Sequence, residues 1–206
     1  MPGPAMKWVA YTDGACAPSN PGPSGWGAVI IAPGEGGETD HYGFIGPGTN
    51  QIAELTAALE GLARVPAGAA VELVSDSQYV LKGLTEWRAG WERKGWRNSK
   101  GEPVANLALW KRLFAVADGR KVSVRWVRGH NGDRCNEKAD ALANRALLLK
   151  AGSEAYSRRA DDRGPPLFRP GHAPLRVTGS APARGWCGAS RARPPARARG
   201  AAAVRG

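Results

Sequence analysis

Cysteine is scarce in this 206-residue chain: Cys16, Cys135 and Cys187 are all there is, and no two are close in sequence. An odd, dispersed set fits neither a disulfide framework nor a zinc cluster, and it points to a reducing, cytoplasmic setting. Long apolar runs are missing too. The longest, such as WGAVIIA, are far too short to cross a bilayer, so no membrane partner is expected. The opening MPGPAMKW lacks the charged start and apolar stretch of a signal peptide, and Met6 is an alternative start. Histidine numbers only three, and internal repeats are absent.

Positive charge, by contrast, is plentiful. The net charge is +11, which favours polyanionic partners but says nothing of fold. It is also uneven. Residues 1–150 hold 18 Lys+Arg against 15 Asp+Glu, whereas residues 151–206 hold 11 Arg, no Lys and 3 acids. That last segment has 13 Ala, 8 Gly and 7 Pro and hardly an aliphatic residue. It cannot bury enough apolar surface to offset its ordering entropy, so it is expected to be disordered. The expected organisation is a flexible start over 1–6, a folded domain over 7–150 and a basic Ala/Arg/Pro/Gly-rich tail over 151–206.

Within 7–150 the periodicity changes several times. KWVAYTD, GWGAVIIA and HYGFIG read as three strands divided by Gly/Pro-rich turns, a β-meander. TNQIAELTAALEGLARV follows, with Thr49 or Asn50 as cap and Ile52, Leu55, Leu59 and Leu62 at helical spacing. VELVSD is a short strand, and SQYVLKGLTEW with the segment after it reads as helical. NLALWKRLFAVA is a helix with Asn106 as its cap. KVSVRWV alternates as a strand, and GDRCNEKADALANRALLLK is a long last helix. The order βββαβ, helices, then βα predicts a mixed α/β fold with one sheet and helices on its faces.

Four carboxylates stand out. Asp13 and Asp76 each end an apolar strand, where an aspartate usually begins a turn. If the two strands are neighbours, both acids reach one edge of the sheet, where α/β folds gather their sites. Glu54 heads a helix row of Ala57, Ala58 and Gly61. Small residues suit close packing on the sheet, which would part-bury the acid; the other reading is an exposed residue near the dipole-favoured helix end. Asp140 sits at the margin of the face formed by Ala139, Leu142, Ala143, Ala146 and Leu147, or is simply a solvated flank. Grouped acids need cations between them. Oxygen donors with few histidines suit Mg²⁺ or Mn²⁺, and two such ions clamp the oxygens of a phosphodiester. His130, between Gly129 and Gly132, is either a proton carrier or an ordinary loop histidine.

The segment WRAGWERKGWR, Trp87 to Arg97, mixes three tryptophans with four basic residues. One reading is an amphipathic helix whose rings are core beneath long basic stems. The other is a surface that grips a nucleic-acid backbone.

Taken together and in order, TDGACAPSNPGPSGWGAV, TNQIAEL, SDSQYV, WRAGWERKGW, NLALW and VRGHNGDRCNEKADALA resemble type 1 ribonuclease H over roughly residues 7–150. The resemblance implies a ribonuclease H-like fold with a five-stranded mixed sheet flanked by helices. It implies an endonuclease that cuts the RNA strand of RNA/DNA hybrids with two Mg²⁺ ions, Mn²⁺ being a substitute, and leaves 5′-phosphomonoesters. The metal ligands would be Asp13, Glu54, Asp76 and Asp140, His130 would be the mobile histidine, and Glu137 an accessory acid. Asn20, Asn50, Gln51 and Gln78 would line the minor groove, where an amide bonding a 2′-hydroxyl is what tells RNA from DNA, and Cys16 would be a further substrate-binding residue. Thr49 and Asn106 would hold a DNA-strand phosphate. The Trp-rich segment would be the basic protrusion, with Arg93 and Lys94 facing the substrate and Trp87, Trp91 and Trp96 divided between anchoring it and facing the duplex. A monomer is expected.

Two rival classes remain: a binding module that kept the groove and lost the chemistry, and an integrase-like enzyme of the same fold acting on DNA. The first would lack one of the four acids, and all four are present. The basic protrusion and the TNQ segment argue against the second.

Overall fold

The computed structural model describes residues 7–153, so the expectations for residues 1–6 and for the tail beyond Ser153 lie outside the described residues. Strands β1 (Trp8–Cys16), β2 (Gly22–Ile31) and β3 (Glu38–Gly48) form the expected antiparallel meander. β4 (Ala70–Ser75) joins β1 in parallel, and β5 (Lys121–Trp126) joins β4 in parallel. The sheet order is β3-β2-β1-β4-β5, which makes β1 the central strand.

Alternation along the strands sorts the core into two layers. Ala10, Ala28, Ile30, Val71 and Leu73 belong to the layer under α1 (Asn50–Ala63) and α4 (Leu107–Asp118). Tyr11, Val29 and Val74 point to the other face, covered by α5 (Arg134–Leu149) through Ala139, Leu142, Ala143 and Ala146. In α1, Leu55 and Leu62 are completely buried and Leu59 nearly so. Each contributes roughly 1.5–3 kcal/mol of burial. The small row behaves as its composition predicts: Ala57 and Ala58 are buried, and Gly61 lies against Thr12.

Helix caps follow the sequence with one exception. Thr49 caps α1, its hydroxyl accepting the Ile52 N–H at 3.2 Å, and Asp133 caps α5 by accepting from Cys135 and Asn136. Asn106 precedes α4 but does not cap it. Its φ is 58°, and its side-chain amide donates instead to the Tyr79 hydroxyl at 3.4 Å. The helical stretch after Ser77 is also not continuous. It runs as α2 (Gln78–Lys82), a π-helical turn over Gly83–Trp87 and α3 (Arg88–Arg93), and then stops where Gly95 and Trp96 take positive φ.

Ser153 donates its N–H to the Tyr42 carbonyl at 2.9 Å and accepts the Tyr42 N–H on its hydroxyl at 3.1 Å, so β3 is tied to chain three residues beyond Lys150. Cys16 is a free thiol, and Cys135 is buried beneath the sheet.

Candidate active site

The register of the central strands brings two of the acids together. Tyr11 of β1 lies beside Val74 of β4, so the same register two residues on sets Asp13 level with Asp76, just past the end of β4. Asp13 shares the parity of Tyr11 and therefore faces α5. Its partner on β2 is Gly27, where a Cβ would collide with the Ala139 carbonyl. The close seating of α5 at that point brings Asp140, the next residue after Ala139, toward Asp13. On the other side, a Cβ at Gly14 would collide with the backbone of Ala53 and Glu54, so α1 presses its first turns directly against the end of β1.

Electrostatics report the same convergence. The Asp13 carboxyl is pushed from 3.8 up to about 8, first by burial, then by the negative charges of Asp76, Asp140 and Glu54; the hydrogen bond from the Gly14 N–H, at 2.7 Å, opposes them. Burial also raises Glu54, with Asp76 adding to it, although the Ser77 hydroxyl donates to Glu54 Oε2 at 2.5 Å and works the other way. Asp140 accepts from the Asn144 amide at 2.8 Å, and His130 Nδ1 stands 4.0 Å from its other oxygen. His130 itself is 83% exposed at φ 51°. Glu137, through Oε1, accepts the Gly132 N–H at 2.9 Å and braces the His130 loop.

The carboxylates do not close into a cage. Among the described residues, no group of three or more His, Cys, Asp or Glu is set to hold a metal unaided. The donor chemistry nonetheless fits a hard cation. All four donors are carboxylate oxygens, and the Asp13 carboxyl has its proton affinity raised first by burial and then by its acidic neighbours, a repulsion that a divalent ion would relieve.

The remaining predicted residues fall in three places. Cys16, Asn20, Thr49, Asn50 and Gln51 gather about the start of α1. The Cys16 thiol lies 3.6 Å from the Gly48 carbonyl, and the Asn20 side chain accepts the Asn50 N–H at 3.2 Å. Gln78, exposed, opens α2 beside Ser77. The tryptophans form a chain of ring contacts running from Tyr79 to Trp87 (5.9 Å), to Trp91 (5.7 Å), to Trp110 (5.2 Å) and to Phe114 (5.4 Å), with Trp96 also on Phe114 at 5.9 Å. Trp91 and Trp96 pack on the core, while Arg93 and Lys94 are exposed. Ser77 was not singled out from the sequence, although a serine between a strand end and a helix is a cap signal; Asn144, four residues after Asp140, is the other omission.

The family model for RNase H matches residues 5–148. Ribonuclease H of Polaromonas naphthalenivorans is 50% identical over 146 residues, covering 70% of this chain and 89% of that protein. Ribonuclease H of Hahella chejuensis is 51% identical over 140 residues, covering 68% and 93%. Among solved structures, LC9-RNase H1, a type 1 RNase H, superposes with a TM-score of 0.65 at 28% identity, covering 73% of this chain and 76% of that one. RNase H1 of the halophilic archaeon Halobacterium salinarum gives 0.53 at 32% identity, covering 70% and 99%. The order of strands, the acids converging on the central one and sequence identities near one half all lead to one conclusion: the chain belongs to the RNase H family of nucleases.

Proposed function

We propose that this enzyme hydrolyses the RNA strand of RNA/DNA hybrids, with Asp13, Glu54, Asp76 and Asp140 holding two Mg²⁺ ions. The observation that carries the reading is the Asp13 carboxyl, within the central strand just past its pairing with β4, raised to about 8 by burial and by three acidic neighbours. When bound, such ions supply a water-derived nucleophile and stabilise the departing oxygen; Mn²⁺ shares the same oxygen chemistry.

The protein's own groups do the rest. Asp13 would supply an anionic donor to the ions, and Ser77 holds the Glu54 carboxylate in one orientation. His130, exposed and 4.0 Å from Asp140, is placed to carry a proton to or from the cleft. The amides of Asn20, Asn50, Gln51 and Gln78 suit the ribose 2′-hydroxyls of the RNA strand, which DNA lacks. Thr49 still has a hydroxyl proton to offer a phosphate, because its oxygen accepts from Ile52 rather than donating. Arg93 and Lys94 extend positive charge along the duplex.

The test uses labelled RNA/DNA, RNA/RNA and DNA/DNA duplexes with Mg²⁺, Mn²⁺ or chelator. RNA cut within the hybrid alone, leaving 5′-phosphates and only with a divalent ion, is the expected result. Cleavage of DNA/DNA, or undiminished cleavage in chelator, would overturn it.

A further inference from the structure

We propose that Trp126 is a positioning residue for Asp76, its indole N–H fixing the backbone of that carboxylate while its ring stands in water. The inference rests on the reading of Asp76 as a metal ligand. Trp126 ends β5, directly opposite Ser75. It is 51% exposed, the only tryptophan among the exposed large apolar residues described. A tryptophan is worth most when its ring is buried, so burial is not what this one supplies.

What it supplies is a donor. The parallel ladder between β4 and β5 extends one bond past β5, where the Val127 N–H donates to the Ser75 carbonyl at 3.2 Å. The next carbonyl is that of Asp76, and there the indole takes over, with Nε1–H donating to it at 3.1 Å. The backbone leaves the ladder because it turns across the carboxylate. At Gly129 any Cβ would collide with Asp76 Oδ2, and His130 follows with φ 51°. Trp126 thus sits at the pivot between the strand end that carries Asp76 and the loop that carries His130. Outer groups that hold a ligand in place typically affect metal affinity or activity by about 10–100-fold, and a misplacement of about 1 Å costs up to about 10²-fold in rate.

Two substitutions separate the donor from the ring. Trp126→Phe keeps an aromatic face and loses the N–H. Trp126→His keeps a donor at the matching place, because imidazole Nε2 lies the same number of bonds from Cγ as indole Nε1. In the full chain, Trp126→Phe is expected to lower kcat about tenfold with KM for the hybrid unchanged. It should also weaken Mn²⁺ binding, measured calorimetrically without nucleic acid, by about tenfold, and Trp126→His should recover most of both. A raised KM with unchanged kcat, and Phe outperforming His, would make the ring a substrate contact and overturn the proposal. So would wild-type kcat and Mn²⁺ affinity in Trp126→Phe. Full turnover in Asp76→Asn would sink the site reading itself, which is a different failure from these.

Discussion

Asp13→Asn should make the metal-free protein more stable while it removes cleavage. The Asp13 carboxyl moves from 3.8 to about 8 on folding, chiefly by burial and then by Asp76, Asp140 and Glu54. The folded protein therefore binds a proton that the unfolded chain has released, and stability falls as pH rises between about 4 and 8. At about pH 7 the gap from 3.8 is roughly three units, or about 4 kcal/mol at 1.36 kcal/mol per unit. Water entering the cleft reduces this, and about 2 kcal/mol is the working expectation. Asparagine removes the charge and keeps an oxygen to accept the Gly14 N–H. At about pH 7 in chelator the variant should melt roughly 4–8 °C higher. Near pH 4 the gap should shrink to a small fraction of its neutral value, since the folded carboxyl is then protonated and the unfolded one is only about half ionised. Adding Mg²⁺ should raise the wild-type midpoint more than the variant's. Thermal melts at both pH values, with and without the ion, are the assay. Equal or lower stability of Asp13→Asn at neutral pH, or a gap undiminished near pH 4, would refute the argument that like charges strain this site.

His130→Ala should lower kcat by about 10²–10⁴-fold, less than Asp13→Asn does, with Mn²⁺ affinity retained; steady-state and calorimetric measurements separate the two. Replacing Arg93 and Lys94 together by Ala should raise KM, leave kcat nearly unchanged and flatten the log–log salt slope of binding by about two contacts' worth. Burial alone would raise the Glu72 carboxyl, but hydrogen bonds from Lys7 and Arg125 outweigh it and hold it below its ordinary value. Its stabilisation is present above the unfolded pKa of about 4.3 and fades as pH falls further, so Glu72→Gln should flatten the acid limb of a urea-midpoint profile. A chain ending at Ser153 should cleave with similar kcat and show a higher KM only at low salt, and it should outlast one ending at Lys150, which loses the Tyr42–Ser153 hydrogen bonds.

The strands and helices were legible because each carries its own period, and the site was partly legible for the same reason. Asp13 and Asp76 end apolar runs, and a parallel pairing of those runs sets the two level. The small row behind Glu54 announced a close contact that Gly14 and Gly61 then allow. What local pattern did not carry was anything settled by a distant partner. Asn106 has the composition of a cap, but Tyr79, 27 residues away, takes its amide and leaves the cap unmade. Nothing local announced that one oxygen of Glu137 would accept the Gly132 N–H and brace the His130 loop. Ser77 and Trp126 were passed over because neither a hydroxyl after a strand nor a tryptophan at a strand end reveals which carbonyl or carboxylate it will meet.

The Trp-rich segment shows how one stretch satisfies two readings at once. Edge-on and stacked ring pairs prefer centroids about 4.5–7 Å apart, and every contact from Tyr79 through Trp87, Trp91 and Trp110 to Phe114 falls in that range. The rings of Trp87 and Trp91 are therefore engaged with one another and with the core, and Trp96 is held against Phe114 with the Lys111 ammonium 5.3 Å from its ring centre. Arg88 is committed as well, to Asp118, to Glu92 and to the face of Phe114. Arg93 and Lys94 end the short α3, exposed where it stops at the positive-φ pair Gly95–Trp96. The aromatic residues thus fix the angle at which the segment leaves the domain, and the cations beyond them set what it reaches. Removing a ring should loosen the whole protrusion, whereas removing a cation should change only its grip on phosphate.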